Sequence, residues 1–185
     1  FETEELVKKF IDFYKDSKIK GKRLLDIGTG SGVIPIILEK KIPYLEFYAL
    51  DKSSKAIEVA KKNIFIHKSK ITLINDEIKN SKLDSIDFVL SNPPYIKSAN
   101  LSNLPIDVKN EPSLALDGGT NGIEVIKEIF EWESEINKNN ASYILIEIDS
   151  QIYEETKILT NKYYPNKKKT FIKDLNSNIR FVSIT

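Results

Sequence analysis

An apolar segment runs directly into a glycine-rich turn in residues 23–32, which read RLLDIGTGSG. The first half predicts a buried strand, and the apolar run that begins at Val33 predicts a helix to about Glu39. Glycines in the turn let the backbone approach a ligand closely, and the first amides of the following helix can bind an anionic group. A turn placed between strand and helix therefore indicates a ligand site, although a glycine-rich turn alone can also be purely structural.

Outside this stretch the apolar periodicity switches repeatedly between strand and helix, which indicates an α/β fold. The predicted strands are 23–27, 45–50, 71–74, 86–90, 142–148, 170–172 and 180–184. The predicted helices are 3–14 with Thr3 as N-cap, 33–39, a segment from Ser53 or Ser54 to His67, 123–136 and 152–163. Residues 96–119 show no clear period. Five helix-connected strands and a closing hairpin predict a mostly parallel seven-stranded sheet with an antiparallel last strand and helices on both faces.

The composition excludes several kinds of site. The chain has 185 residues, the usual size of one domain, and no Cys, so disulfides, thiolate zinc sites and a cysteine nucleophile are excluded. His67 is the only histidine. A net charge of +1 with only two arginines argues against direct nucleic-acid binding. The apolar runs are shorter than the roughly 20 residues of a membrane span, and no secretory signal opens the chain, so we expect a cytoplasmic protein.

The ligand that suits the glycine turn is S-adenosylmethionine rather than a dinucleotide. A dinucleotide fingerprint has Gly or Ala three residues beyond Gly30, whereas this chain has Val33. Asp51, about 20 residues after the glycines, can accept both ribose hydroxyls, or it can cap the next helix. Asp76 ends the third strand, where an adenine amino group would lie, or it is a solvated loop carboxylate.

The sequence Ser91-Asn92-Pro93-Pro94-Tyr95 follows the fourth strand. Two prolines stiffen this turn and fix the directions of the carbonyls near them. The Asn92 side-chain oxygen and a fixed carbonyl make two acceptors, which is what a planar NH₂ group needs, and Tyr95 can supply a flat face beside them. We interpret the turn as the place where an amino or amide group is bound.

Together with the glycine turn and Asp51, this turn resembles class I, Rossmann-like methyltransferases that use S-adenosylmethionine to methylate amino groups. Residues 2–7, ETEELV, and 111–119, EPSLALDGG, are similar to segments of the HemK/PrmC family, and the likeness extends from Glu2 to Arg180. That family methylates the side-chain amide of the glutamine in the Gly-Gly-Gln motif of peptide chain release factors. Asp149 stands where the family often has Gly.

The resemblance implies a catalytic domain over residues 1–185, without the family's N-terminal helical docking domain, and a release factor as the protein substrate. It implies that Asn92, Pro93 and Tyr95 are catalytic and that the substrate contacts Asn92, Pro93, Pro94, Tyr95 and Glu111. The residues expected to bind S-adenosylmethionine are Gly28, Thr29, Gly30, Ser31, Gly32, Asp51, Lys52, Asp76, Glu77 and Asn92. S-adenosylhomocysteine would be the product, with no metal, and we expect a monomer.

Two other functions fit the same residues. The Asn-Pro-Pro-Tyr turn could instead serve a methyltransferase that acts on an adenine amino group in RNA or DNA, with Lys167, Lys168 and Lys169 as the main basic run. The chain could also bind S-adenosylmethionine without catalysis. Glu111 could be a solvated charge before Pro112. We interpret His67 as a surface residue and Trp132 as a packing residue.

Overall fold

A computed structural model of the chain describes residues 2–17, 21–105, 112–174 and 176–185. Its strands are β1 (Arg23–Ile27), β2 (Glu46–Asp51), β3 (Ile71–Asn75), β4 (Phe88–Ser91), β5 (Tyr143–Glu147), β6 (Lys169–Lys173) and β7 (Ile179–Ile184). Its α-helices are α1 (Glu2–Asp16), α2 (Val33–Lys41), α3 (Ser54–His67), α4 (Ser113–Leu116), α5 (Glu124–Glu135) and α6 (Tyr153–Tyr163). Short 3₁₀ helices cover Ile78–Asn80, Ser98–Asn103 and Ser150–Ile152.

Within the described ranges, seven strands form one sheet in the order β3-β2-β1-β4-β5-β7-β6. Strands β1 to β5 pair in parallel, and β7 pairs antiparallel with both β5 and β6. The predicted fold is confirmed, including the antiparallel last strand and the hairpin without a helix between β6 and β7.

Helices cover both faces of the sheet because neighbouring strand residues point to opposite sides. Leu24 of β1 packs in a core with the buried residues of α1 and α2, whereas Leu25 packs in a second core with those of α5 and α6. All five residues of β5 are buried, as expected for a central strand covered on both faces. Trp132 lies in the second core and is 2% exposed, which confirms its predicted packing role.

The buried side-chain amide of Asn137, just after α5, binds the backbone of Ile86, which leads into β4. Asn137 Oδ1 accepts a hydrogen bond from Ile86 N at 2.8 Å, and Asn137 Nδ2 donates to Ile86 O at 2.9 Å. The Glu133 carboxylate accepts from Ala141 N at 3.0 Å. These contacts fix the turn between α5 and β5 against the chain that leads into β4.

Two predicted details are wrong. Thr3 is not an N-cap, because α1 already includes Glu2. No α-helix connects β3 to β4, where the 3₁₀ helix Ile78–Asn80 makes the crossover, so only three of the four parallel connections contain an α-helix. Residues 96–119, which show no clear period in the sequence, include a 3₁₀ helix and α4. Both elements are short, so neither produces a sequence period.

Two further features of the described residues concern the helices. Ser53 is the N-cap of α3, and its hydroxyl accepts from Ala56 N at 3.3 Å, as the sequence predicts. None of the helices in the described part of the chain is both long and apolar enough to cross a membrane.

Candidate active site

The carboxyl ends of β1 to β4 lie side by side and carry the predicted site residues. The strand register places Ile27 beside both Leu50 and Ser91, and Asp51 beside Asn75. The glycine turn, the loop after β2, Asp76 and the Asn-Pro-Pro-Tyr turn therefore emerge at one edge of the sheet. Strand order reverses between β1 and β4, and this is the position where open α/β sheets bind ligands.

The glycine turn needs glycine for its backbone angles. Gly28 and Gly30 have φ angles of 73° and 56°, in the left-handed region that other residues rarely adopt. A Cβ at either position would meet no atom within 4 Å, so the turn borders open space there. The amides of Gly28 and Thr29 both donate to Leu50 O, at 2.8 and 3.0 Å, which ties the turn to the end of β2.

Gly32 sets how closely the turn approaches α3. A Cβ at Gly32 would lie 3.3 Å from the Cβ of Ala60, and Asn63 Nδ2 donates to Ser31 O at 2.9 Å. Gly32 also precedes α2 without a side-chain cap. The first amides of α2 are therefore not bound by a capping side chain and remain suited to an anionic group.

Asp51 connects the glycine turn to the loop after β2. Its Oδ2 accepts from Gly30 N at 2.9 Å, and its Oδ1 accepts from Ser53 N at 2.9 Å. Each carboxylate oxygen has a second lone pair, so Asp51 can hold the turn and still accept hydroxyl groups from a ligand. Ser53, rather than Asp51, is the cap of α3.

Asp26 is a further candidate that the sequence interpretation missed. It lies on β1 just before the glycine turn and is completely buried. Neither of its carboxylate oxygens has a hydrogen-bond partner of good geometry within the residues that the structure describes. Burial raises the pKa of Asp26 to about 7, the nearby Thr29 hydroxyl lowers it, and the charge of Asp51 raises it further. An acidic residue inside an apolar strand was the signal that could have identified it.

The remaining predicted cofactor residues lie in loops farther along the same edge. Asp76 Oδ1 accepts from Glu77 N at 2.8 Å and from Asn80 Nδ2 at 3.2 Å, so this oxygen holds the 3₁₀ turn. Glu77 makes an ion pair of 2.7 Å with Lys79. Lys52 is exposed at the end of β2.

The Asn-Pro-Pro-Tyr turn is held next to the glycine turn by a buried hydroxyl. Ser91 Oγ donates to Ile27 O at 2.7 Å, which joins the last residues of β4 and β1. Pro93 is buried, and Asn92 is half-buried. The Asn92 amide makes no hydrogen bond to another of the described residues, so its oxygen is available as an acceptor.

A cavity of about 330 Å³ lies on the β5 side of this turn. Tyr95 and the 3₁₀ helix after it form one wall, and Asp149, Gln151 and Ile152 form the other. The Asp149 carboxylate is fixed by Arg180 Nη1 at 3.2 Å and by the amide of Gln151 at 2.8 Å. None of the residues that line the cavity belongs to the glycine turn, so the cavity adjoins the other side of the site, formed by the Asn-Pro-Pro-Tyr turn. This turn is named the acceptor turn below.

Glu111, the remaining predicted substrate residue, lies outside the described residues. His67 is exposed at the end of α3, as predicted, with its Nδ1 3.2 Å from Lys40 Nζ. In the described ranges, no group of three His, Cys, Asp or Glu side chains is arranged to hold a metal ion. Residues 116–122 contact the Asn-Pro-Pro-Tyr turn through their backbone, and their glycines were the only sequence signal of that contact.

Solved structures of methyltransferases share this fold. Ribosomal protein L11 methylase from Lactobacillus delbrueckii subsp. bulgaricus superposes with a TM-score of 0.68 and 14% identity, over 100% of this chain and 78% of that one. The catalytic domain of hMettl16, in complex with an RNA hairpin, has a TM-score of 0.70 and 17% identity, over 97% and 70%. TrmK from M. capricolum, in complex with S-adenosyl-homocysteine, has a TM-score of 0.60 and 16% identity, over 100% and 67%.

The relatives found by sequence share a single name, unlike the solved structures. A protein named release factor glutamine methyltransferase from Flavobacterium psychrophilum is 35% identical over 99% of this chain, and the chain covers 65% of it. Proteins of the same name from Rhodopirellula baltica and Staphylococcus aureus are 33% and 32% identical over 99% and 98% of the chain. The chain thus spans slightly less than two thirds of the length of these relatives, 64% to 65%.

A family model described as methyltransferase small domain matches residues 6–106, which run from α1 through the Asn-Pro-Pro-Tyr turn to the 3₁₀ helix beyond it. That range contains the glycine turn, Asp51 and Asn92, and it is more than half of the 185 residues. The chain belongs to the methyltransferase small domain family.

Proposed function

We propose that this chain transfers a methyl group from S-adenosylmethionine to the side-chain amide nitrogen of the glutamine in the Gly-Gly-Gln motif of peptide chain release factors. The relatives that match nearly all of the chain carry the name release factor glutamine methyltransferase. The observation that carries the proposal is the position of the Asn92 amide, which the Ser91 to Ile27 hydrogen bond holds beside the glycine turn.

The residues at the glycine turn fit S-adenosylmethionine. Asp26 offers a buried carboxylate that has no hydrogen-bond partner of good geometry among the described residues, which suits a cationic ligand group above it. Gly28 and Gly30 leave open space for the ligand, and Asp51 retains lone pairs for ribose hydroxyls. When bound, S-adenosylmethionine supplies a methyl group on a positively charged sulfur and leaves as S-adenosylhomocysteine.

The residues of the acceptor turn would orient the amide nitrogen, which reacts poorly on its own. An amide nitrogen is a poor nucleophile because its lone pair is delocalised into the carbonyl. Asn92 Oδ1 and the Pro93 carbonyl would accept hydrogen bonds from the two N–H groups of the glutamine amide and direct the nitrogen toward the glycine turn. The N–C bond would form as the bond between sulfur and the methyl group breaks, and the nitrogen would then lose one of its two protons to water. The rate then comes from orientation and fixed dipoles, without a strong general base. Tyr95 would pack beside the amide.

The direct experiment incubates the chain with S-adenosylmethionine and a full-length release factor, followed by mass spectrometry of the peptide that contains Gly-Gly-Gln. We expect one added methyl group on the glutamine. Unmodified glutamine with an intact, cofactor-binding protein would contradict the proposed function. A parallel panel of tRNA and DNA substrates separates this function from adenine methylation, and methylated adenine in that panel would establish the alternative.

Asn92→Ala provides the residue-level test of the same function. We expect methyl transfer to fall by about a hundredfold or more, because one of two fixed acceptors is lost. The dissociation constant of S-adenosylmethionine, measured by calorimetry, should stay within about threefold of the unmodified chain. Asn161→Ala, an exposed amide on α6, is the matched control. Lost cofactor affinity with an unchanged residual rate would show that Asn92 does not bind the substrate amide.

We further propose that the chain acts as a cytoplasmic monomer that does not bind nucleic acid directly. The net charge of +1 supports the absence of direct nucleic-acid binding. Lys167 Nζ donates to Ala141 O at 2.7 Å and Lys169 Nζ donates to Tyr164 O at 3.0 Å, so two lysines of the basic run are bound to the protein's own carbonyls. Light scattering and titration with a duplex DNA test these points.

A further inference from the structure

Residues 116–122, named here the clasp, align with the chain just after the Asn-Pro-Pro-Tyr turn. Ile96 N donates to Leu116 O at 3.1 Å, and Gly118 N donates to Ile96 O at 2.8 Å, so that Ile96 and Asp117 form a parallel bridge. Ser98 N donates to Gly119 O at 2.9 Å. The clasp therefore adds a short backbone pairing to the segment that leaves the acceptor turn.

Two glycines allow the clasp to touch the backbone of the turn itself. A Cβ at Gly118 would lie 2.7 Å from Tyr95 Cα and 2.8 Å from Pro94 O, and one at Gly122 would lie 2.5 Å from Tyr95 O. These neighbours are backbone atoms, which cannot move aside as a flexible side chain can. Any larger residue would displace the turn, so the position of the clasp sets the position of the turn.

Asp117 is the polar centre of the clasp. Its Oδ1 accepts from Ser98 Oγ at 2.6 Å and from Gly119 N at 2.9 Å, which joins the two paired segments through one side chain. The Ser98 hydroxyl, the Gly119 amide and the positive charge of Lys52 lower the pKa of Asp117 below its usual value. Lys52 belongs to the loop after β2, on the side of the site that carries the predicted cofactor residues.

The other end of the clasp is fixed to α5. Glu124 accepts from Asn121 N and from Ile123 N, both at 3.0 Å, and Glu124 N donates to Gly118 O at 3.2 Å. The clasp is thus held to a helix of the core on one side and to the acceptor turn on the other. Asp117 stands at the middle of this connection.

We propose that Asp117 is a positioning residue for methyl transfer: it holds the clasp against residues 94–98 and so fixes the directions of the Asn92 side chain and the Pro93 carbonyl. The inference rests on the proposed function, because it assigns Asp117 a role in orienting the glutamine amide. Asp117 does not contact the reacting atoms. Orientation of this kind is sensitive, since a displacement of about 1 Å can cost about a hundredfold in rate.

The test compares Asp117→Ala, Asp117→Asn and Thr120→Ala, the last being a control at an exposed position of the clasp. We expect Asp117→Ala to lower kcat with release factor by about 10- to 100-fold while the S-adenosylmethionine dissociation constant stays within about threefold. Asp117→Asn keeps an oxygen that accepts from Ser98 and Gly119, so its kcat should recover to within about threefold of the unmodified chain. Thr120→Ala should match the unmodified chain.

Hydrogen exchange of peptides that cover residues 94–98 gives a readout independent of turnover. We expect faster exchange there in Asp117→Ala and unchanged exchange in β1 and β4. The inference is overturned if exchange at 94–98 is unchanged, if kcat stays within about twofold, or if kcat and cofactor affinity fall together. No methyl transfer by the unmodified chain would contradict the proposed function instead, and exchange alone would then decide whether Asp117 holds the turn.

Discussion

At the scale of single residues, Asp26 has the most unusual surroundings in the site. A fully buried carboxyl without good partners among the described residues is costly to ionise, and burial raises its pKa to about 7. A cationic group placed above the glycine turn would reverse this cost by pairing with the carboxylate. The same residue therefore weakens the empty protein and favours a positively charged ligand.

Asp26→Asn tests how much the buried carboxyl costs the stability of the ligand-free protein. The folded chain holds a proton that the unfolded chain releases near pH 3.8, so the free energy of unfolding falls as pH rises from about 3.8 to about 7 and then levels off. Each pKa unit corresponds to about 1.4 kcal/mol, so the full loss is roughly 4 kcal/mol at most. Urea unfolding of the ligand-free protein at about pH 4.5 and 8 should show most of this loss in the unmodified chain and a much flatter profile in the variant. Equal pH profiles would contradict the buried, protonated carboxyl.

Asp51→Ala should affect cofactor binding before catalysis. The substitution removes the acceptors for Gly30 N and Ser53 N, which loosens the glycine turn, and it also removes the oxygens available to ribose. We expect the S-adenosylmethionine dissociation constant to rise by about tenfold or more, since each charged hydrogen bond contributes about 1.5 to 3 kcal/mol. Calorimetry measures it, with the exposed Glu58→Ala of α3 as control. An unchanged constant together with a lower saturated rate would assign Asp51 to the chemical step.

At the scale of the elements, the site depends on how the helices fix the strand ends. Asn137 follows α5 and pairs with both backbone groups of Ile86, which leads into β4 and then to Asn92. Asn137 here takes the place of a neighbouring backbone partner, so the position of Ile86 depends on the position of α5. The acceptor turn thus depends on a contact made at the opposite end of β4.

Asn137→Ala should destabilise the fold through this junction. The substitution leaves the buried N–H and C=O of Ile86 unpaired, which costs about 1 to 3 kcal/mol for each group. We expect the free energy of unfolding to fall by about 2 to 4 kcal/mol, measured in urea, whereas the exposed Asn161→Ala should change it by less than about 0.5 kcal/mol. A loss as small as that of the control would show that water replaces the Asn137 amide.

The sequence predicts the elements well where a strand or helix is long and its apolar pattern is regular. The bounds of β1 were predicted without error, and the N-cap Ser53 and the hairpin of β6 and β7 are confirmed. The crossover from β3 to β4 and the short α4 were missed because neither is long enough to show a period. The clasp could not be predicted from local pattern, since its contacts join residues about 20 positions apart, and the roles of Asn92 and Asp51 remain predictions.

At the scale of the whole molecule, the chain is close to electrically neutral. The chain has 28 basic and 27 acidic residues, and two lysines of its basic run bind backbone carbonyls. A net charge close to zero does not favour binding that depends on neutralising many phosphates. Substrate binding is therefore expected to depend on shape and on the cavity beside the acceptor turn.

Salt dependence tests this property. We expect the KM for a release factor to change by less than about threefold between roughly 50 and 200 mM salt, because few ion pairs would form. A nucleic-acid substrate held through 6 to 10 phosphates would lose about 10³ to 10⁵ in affinity over the same range. Initial-rate measurements at several salt concentrations decide between them, and a steep slope with the release factor would contradict the neutral interface.

The position of β7 has a consequence for how the molecule forms. β7 is last in sequence, yet it lies inside the sheet, between β5 and β6. Until residues 179–184 leave the ribosome, β5 has an unpaired edge on that side, and its sequence is apolar except for Glu147. Unpaired apolar edges of this kind recruit strands from other chains. The nascent chain is therefore most exposed to aggregation just before β7 is made, and a cut before residue 179 would make that exposure permanent.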